Sequence, residues 1–268
     1  MSSIFESIKE SLKKQESKSS YDDILRTVPG NTYTVRLLPY VKDPANTFYH
    51  YFMQGWNSFA TGNYVQVLSP TTYGERDPIS ETRFSLAKIG TEEQQEKAKT
   101  LRRAEKWMVN VLVVDDPVNP ENNGKVKILR FGKQLAKIIF DAIDGEGADE
   151  FGDSIFDLGK GGVDLKIKVD KQAEFPNYSS SRFSTKSTLK LTDEQQQSVL
   201  ESIHDLTEII PKKSVEEINA MLNEHFHVTG VSTTSVKKSE TVTDNMDDLD
   251  DIDGATDAEV EDLLKGIA

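Results

Sequence analysis

Cationic and aromatic side chains adjoin at three places in the sequence. Arg102, Arg103 and Lys106 run directly into Trp107; Arg130 abuts Phe131, with Lys133 close behind; and Phe175, Tyr178 and Arg182 fall within one short segment. Cations so placed can neutralise phosphates, and aromatic faces can accept stacked bases, at about 1 to 3 kcal/mol per base. Taken singly, each of these aromatics is better explained as a core residue. The repetition beside cations is what carries the binding reading.

Other chemistries find less support. Gly159-Lys160-Gly161-Gly162 resembles a phosphate loop, but Ser154 stands where the first glycine is needed and Gly161 where Ser or Thr is needed, so a turn before a strand is the better reading. Asp251, Asp253 and Gly254 suggest a calcium loop, yet Leu249 and Val260 occupy its first and twelfth positions. His225 and His227 flank Phe226 without a third metal ligand, and His50 and His204 have no partner in sequence. Neither a Ser-His-Asp order nor an HExxH motif occurs, so catalysis is not expected, although paired carboxylates stay open in a chain with 45 acidic residues.

Elements that would position the interleaved residues follow from periodicity. Tyr33–Leu38, Phe48–Trp56 and Tyr64–Leu68 read as short strands with Pro or Ser-Pro punctuation. Residues 91–106 are charged and helix-prone, and Trp107–Val114 is the strongest strand pattern in the chain. After a loop at 115–124, residues 125–131 alternate, with Lys125, Lys127 and Leu129 on one face and Val126, Ile128 and Arg130 on the other. A helix over 134–143, a Gly- and Asp-rich connection to Gly162, a strand over 163–169 and a loop over 175–187 come next. Val199, Ile203, Leu206 and Ile210, then Val215, Ile218, Leu222 and Phe226, recur at helical spacing and predict two closing helices.

With 268 residues, one large domain with appendages is the simplest organisation. Cysteine is absent, which excludes disulfides, thiolate metal sites and thiol nucleophiles and suits a reducing compartment. Because no apolar run is long enough to span a bilayer and the N-terminus lacks a signal-peptide core, a cytoplasmic location is expected. Of the net charge of −13, −10 falls in residues 240–268, leaving −3 for residues 1–239. Within that body, Lys88–Lys137 holds eleven basic and seven acidic residues. A modest basic region therefore opposes a strongly acidic end.

These features predict an arm at 1–20, a core at 21–228, and a linker with an acidic tail at 229–268. In the arm, Ile4, Phe5, Ile8 and Leu12 share one helical face near Lys13, Lys14 and Lys18, a pattern that suits either a first helix packed on the core or a separate segment that orders on a partner, as in self-association. The tail carries Asp247, Asp248, Asp250, Asp251 and Asp253, then Leu263 and Leu264 among acids, as a protein-interaction segment would. It buries too little apolar surface to fold alone.

The sequence also resembles the helix-destabilising single-stranded DNA-binding proteins of T-even-type bacteriophages. The similarity lies in Val35-Arg36-Leu37-Leu38-Pro39, in residues 109–114 with Asp116-Pro117, in Pro120-Glu121-Asn122, Gly124-Lys125-Val126 and Arg130-Phe131-Gly132-Lys133. It continues through residues 165–169 to Phe175, Asn177 and Tyr178. The resemblance implies an α+β chain with an OB-fold β-barrel core and added helices. It also implies a cleft for single-stranded DNA, a cooperative N-terminal arm and an acidic tail that recruits replication and recombination proteins. By position, Arg102, Arg103 and Lys106 fall on the family's basic run, Trp107 on a stacking aromatic, Phe175 and Tyr178 on a Phe-x-x-Tyr pair, and Arg36 on an arginine near the cleft. Lys125, Lys127, Arg130, Phe131, Lys133 and Arg182 complete the expected DNA-binding set. Met108 and Leu129 stand where the family shows aromatics, for which Tyr64 and Tyr73 are candidate substitutes.

One departure concerns metal. The family carries zinc on one His and three Cys, whereas here Gln54 takes the approximate His position and no Cys exists. No cofactor is expected, and Phe48, Tyr49, Tyr51, Phe52, Trp56 and Phe59 are candidates to stabilise that region by packing. The overall expectation is a nonspecific, cooperative coat for single-stranded DNA in phage replication, recombination and repair. Rival readings are an RNA-binding OB protein, an acidic-tailed scaffold without its own DNA binding, and a carboxylate nuclease for which no spacing argues.

Overall fold

A computed structural model describes residues 20–172, 175–184, 189 and 191–227. The predicted arm and acidic tail, with Ile4 to Lys18 and Asp247 to Leu264, lie outside the described residues. In chain order the elements are β1 (Thr32–Leu37), β2 (Phe48–Asn57), β3 (Tyr64–Leu68), α1 (Pro78–Ile89), α2 (Glu92–Ala98), β4 (Arg102–Asp115) and β5 (Val126–Phe131). They continue with α3 (Lys133–Asp144), β6 (Leu165–Lys168), β7 (Asp170–Gln172), β8 (Phe175–Asn177), β9 (Arg182–Phe183), α4 (Asp193–Glu201) and α5 (Val215–His225). The architecture is α+β.

β4 organises the sheet. One of its edges pairs antiparallel with β2 over Arg102–Val109 and then with β1 over Val111–Asp115, while the other edge pairs with β5 over Trp107–Leu112. β3 extends the sheet beyond β2, and β6 and β9 extend it beyond β1. Both faces of β4 are covered along most of its length, which is why residues 107–114 read as an apolar run interrupted only by Asn110.

On one face, Val109, Val111 and Val113 join Leu129, Val35 and Ile167 beneath Leu135, Ala136 and Ile139 of α3. On the other, Met108 and Ile128 pack with Tyr49, Tyr51, Leu206, Ile209 and Ile210. Buried Asn110 fixes this second layer, since its Nδ2 donates to the His204 carbonyl (2.9 Å) and its Oδ1 accepts from the His204 N–H (3.0 Å). A polar residue inside the strand thus serves as a strand-like partner for an irregular segment.

Three findings differ from the sequence expectations. β4 begins at Arg102, so Arg102, Arg103 and Lys106 are on a strand and not on a helix; pairing with β2 overrides local helix propensity. α1 was not anticipated, because its polar surface gives weak periodicity, although Asp77 caps it by accepting from the Ile79 and Ser80 N–H groups. The helix around Val199 ends at Glu201, and Leu206 begins a short 3-10 turn before α5. Thr192 with Gln195 and Ser214 with Glu217 form the reciprocal caps that start α4 and α5.

Candidate nucleic-acid interface

Strand register assembles a row of rings that no contiguous stretch of sequence contains. Trp107 on β4 lies opposite His50 on β2 and opposite Phe131 on β5, so all three side chains share one face. The Trp107 ring is 5.0 Å from His50 at an interplanar angle of 22°, and 6.2 Å from Phe131 at 19°. Phe52 meets His50 edge-on at 4.9 Å. α3 covers this face from Val109 onward and sends Phe140 against the indole (5.9 Å, 76°), which holds Trp107 half-buried. Before that point the face is more open. Rings in near-parallel array, grading from buried Phe131 through half-buried Trp107 to exposed His50 and oriented by packing from below, form a surface on which bases can stack at its outer end.

Cations border the row. Arg103 lies over the Phe52 ring at 4.5 Å and donates from Nη1 to Thr71 Oγ1 (3.3 Å), while exposed Arg102 donates from Nε to the Lys99 carbonyl (3.1 Å). Arg83, on α1, joins them: burial, then repulsion from the Arg102 and Arg103 guanidinium groups, lowers its affinity for its proton below the ordinary arginine range. Guanidinium groups that lower one another's proton affinity in this way would be relieved by a nearby anion. Across the row, Lys133 at the start of α3 lies 3.6 Å from Glu105 Oε2, and Glu105 Oε1 accepts from His50 Nε2 (2.8 Å).

The Phe175 segment borders α3. Gln134 Oε1 accepts from the Tyr178 N–H (2.9 Å), and the Tyr178 hydroxyl meets Thr27 Oγ1 (3.0 Å). Tyr178 is half-buried against the core, whereas Phe175 is exposed beside the β7–β8 pairing. Trp107, Phe131, Lys133 and Arg103 therefore gather around one face, with Tyr178 tied to the start of α3; Arg102, four positions before Lys106, belongs to the other side of β4 at its exposed end, and Phe175 is exposed on β8.

Several predicted contacts do not gather there. Arg36 is buried, not at a cleft surface: its guanidinium bonds Asp164 Oδ1 through Nη2 (2.6 Å) and Nε (3.1 Å) and the Asp157 carbonyl through Nη1. Gly162 permits this, since a Cβ there would fall 1.8 Å from the Asp157 carbonyl oxygen and 2.0 Å from Arg36 Nη1. The run Gly159–Gly162 is a turn shaped around an arginine. Lys106 is buried on the opposite face, where its strand partner is Tyr51. Arg130 shares that face and donates to the Tyr51 hydroxyl (3.0 Å), because neighbouring strand positions point to opposite sides. Lys127 donates to the Asp22 carbonyl (2.7 Å), Lys125 is exposed at the far end of β5, and Arg182 is exposed on β9.

Tyr64 and Tyr73 also belong elsewhere. Tyr64 covers Gly55, which leaves no room for a Cβ, and Tyr73 meets the Tyr49 hydroxyl with Lys212 over its ring. The ring that sequence reading missed is His50, together with Phe52 and Arg83; only the β2–β4 register could have found the first two.

The donor set for the implied zinc does not fit here. Gln54 is buried with its Nε2 donating to Ser80 Oγ (3.0 Å), and no cysteine exists to complete a site. Trp56, packed with Ile79, Leu101, Ile218, Leu222 and Phe226, occupies this region, and Lys97 lies over Phe59 (4.1 Å) and Phe226 (4.9 Å). Of the other packing candidates, Phe59 borders this cluster, whereas Phe48, Tyr49 and Tyr51 belong to the two central layers.

Comparison with known proteins identifies the family. Residues 30–229 match the family model described as gp32 DNA binding protein like. A single-stranded DNA-binding protein of Enterobacteria phage T4 is 30% identical over 208 residues, covering 72% of this chain and 67% of that protein. A single-stranded DNA-binding protein of Enterobacteria phage T2 is 32% identical over 170 residues, covering 58% of this chain and 55% of that protein. The family match takes in all of the ring row, the arginine group and the Phe175 segment, and the chain belongs to the gp32-like DNA-binding protein family.

Proposed function

We propose that this chain binds single-stranded DNA without sequence preference, in an OB-type cleft formed by β2, β4, β5 and the start of α3. The observation that carries this is the row His50, Trp107 and Phe131, in register across three strands, with Arg103 beside it over the Phe52 ring. Stacking on rings is tolerant of sequence because every base has a π face, and arginines supply the salt-sensitive part of affinity. A duplex keeps its bases stacked on one another and cannot use the rings. The central position of β4, shared between β2, β1 and β5, supports the OB reading.

The protein acts by binding, not catalysis, in phage DNA replication, recombination and repair. The family and its relatives support that role. Residues 1–20 link adjacent bound molecules, and the acidic tail recruits replication and recombination proteins. Gln54 and the packed aromatics take the place of zinc.

Titration of oligothymidine, matched RNA and duplex at several salt concentrations tests the reading. Preferential, salt-dependent binding of single-stranded DNA is expected. Equal affinity for duplex would defeat it, and preference for RNA would favour the RNA-binding alternative, whose chemistry shares the same stacking and phosphate contacts.

A further inference from the structure

The row of rings ends on a residue that carries no assigned role. Phe131 is the inner rung at 6% exposure, Trp107 is half-buried, and the His50 side chain is 44% exposed. One face of the imidazole is taken by the indole. On the other side, β3 pairs with β2 only from Met53 to Asn57, so among the described residues no strand lies beside His50 there. The ring is nevertheless held in place. Its Nε2 donates to Glu105 Oε1, and Phe52 meets it edge-on with the Arg103 guanidinium on the far side.

We propose that His50 is a strand-contacting residue, the outermost rung of the platform, on which a base of the single strand stacks. The inference rests on the single-strand reading given above and adds a specific contact to it. A flat ring with one face packed and the other unpaired by any strand is a stacking surface, and histidine serves this role for unpaired bases. Because the Glu105 bond and the two neighbouring rings already fix its orientation, little freedom is lost when a base arrives. Glu105 is a positioning residue for His50, and its 3.6 Å approach to Lys133 ties the outer rung to the start of α3. The ligand is any nucleobase of a strand running from the Phe131 side toward β2, so the contact adds affinity without selecting a sequence.

The test compares the full chain with its His50→Ala and His50→Phe variants, titrated by fluorescence anisotropy against oligothymidine and against an abasic oligomer of equal length. His50→Ala should weaken oligothymidine binding by about 5- to 160-fold, the equivalent of about 1 to 3 kcal/mol. His50→Phe should restore most of the loss, and the salt slope should not change in either variant. On the abasic oligomer all three proteins should bind alike, since no base is present to stack. The inference is overturned if His50→Ala binds oligothymidine like the unaltered chain, if its loss persists on the abasic oligomer, or if His50→Phe, folded by its melting curve, restores nothing. Failure of the unaltered chain to bind oligothymidine would instead defeat the underlying single-strand reading.

Discussion

At the scale of single residues, the proposed interface sets rings on which a strand would stack beside arginines that lower one another's proton affinity. Trp107→Ala should weaken single-strand binding by about 1 to 3 kcal/mol. Saturating oligothymidine should also quench Trp107 fluorescence, measured above a background from Trp56, which is 2% exposed in a separate cluster. Unchanged affinity and emission would remove Trp107 from the site. Arg83 permits a sharper test, because burial and two neighbouring arginines oppose its charge in the free protein. Arg83→Gln should lower the salt slope of binding by roughly 0.7, the single-strand value per phosphate contact, while thermal stability holds or rises. A falling melting temperature with an unchanged slope would make Arg83 structural. The cations beside Trp107 were legible in the sequence because they are contiguous with it. His50 and Arg83 were not, since strand register and the packing of α1 create their relations to the site, and neither can be read along the chain.

At the scale of elements, Arg36 and Lys106 show how a basic side chain misleads when its face is unknown. β1 and β4 are covered on both sides, so a cation on either strand can be interior and structural. Arg36 links β1 to the turn before β6, and removing one partner of such a buried pair costs about 3 to 5 kcal/mol. Arg36→Ala should therefore reduce stability in urea by that order while the folded fraction keeps its salt slope; a changed slope in folded protein would return Arg36 to the DNA. The strands themselves were mostly legible, with β3 correct at both ends, because alternation and prolines mark them. The helix-prone stretch 91–106 is helical only over Glu92–Ala98, and from Arg102 long-range pairing with β2 outweighs local propensity. α5 closes the region where the family holds zinc, and His227 at its end is held below the ordinary histidine range by partial desolvation, then by the Lys97 ammonium. As pH falls, the unfolded chain takes up this proton first, so the neutral ring's contribution is complete above about pH 6.5 and is lost below it. Melting curves from pH 8 to 5 should show a decline that is smaller in His227→Gln; identical profiles would exclude His227 as a source.

At the scale of the whole molecule, the charge distribution sets two ends of one chain against each other. Residues 240–268 carry −10, and the stretch 88–137 that supplies β4, β5 and the start of α3 is locally net positive, with eleven basic and seven acidic residues. Tethering gives the acidic segment an effective concentration near the body of roughly millimolar order, whatever the bulk protein concentration. The arginine group is the complementary surface, and occupation by carboxylates would relieve the repulsion that Arg83 feels. On the proposed reading, a strand would bring a denser line of negative charge together with bases for the rings, and so would displace the acidic segment and free it for partner proteins. Screening beyond about 8 Å at physiological salt weakens this competition, so it should be strongest at low ionic strength. Deleting residues 240–268 should accordingly tighten oligothymidine binding most at low salt, leave the melting temperature nearly unchanged, and abolish capture of replication proteins. Equal affinities for full-length and truncated protein at low salt would refute the competition, and capture that survives truncation would separately refute recruitment through the tail. The arm predicts a different signature, because removing residues 1–20 should abolish cooperative coating of long strands while sparing an oligomer that holds one molecule. The two truncations can thus be told apart by salt and by strand length, even though both change binding to long DNA.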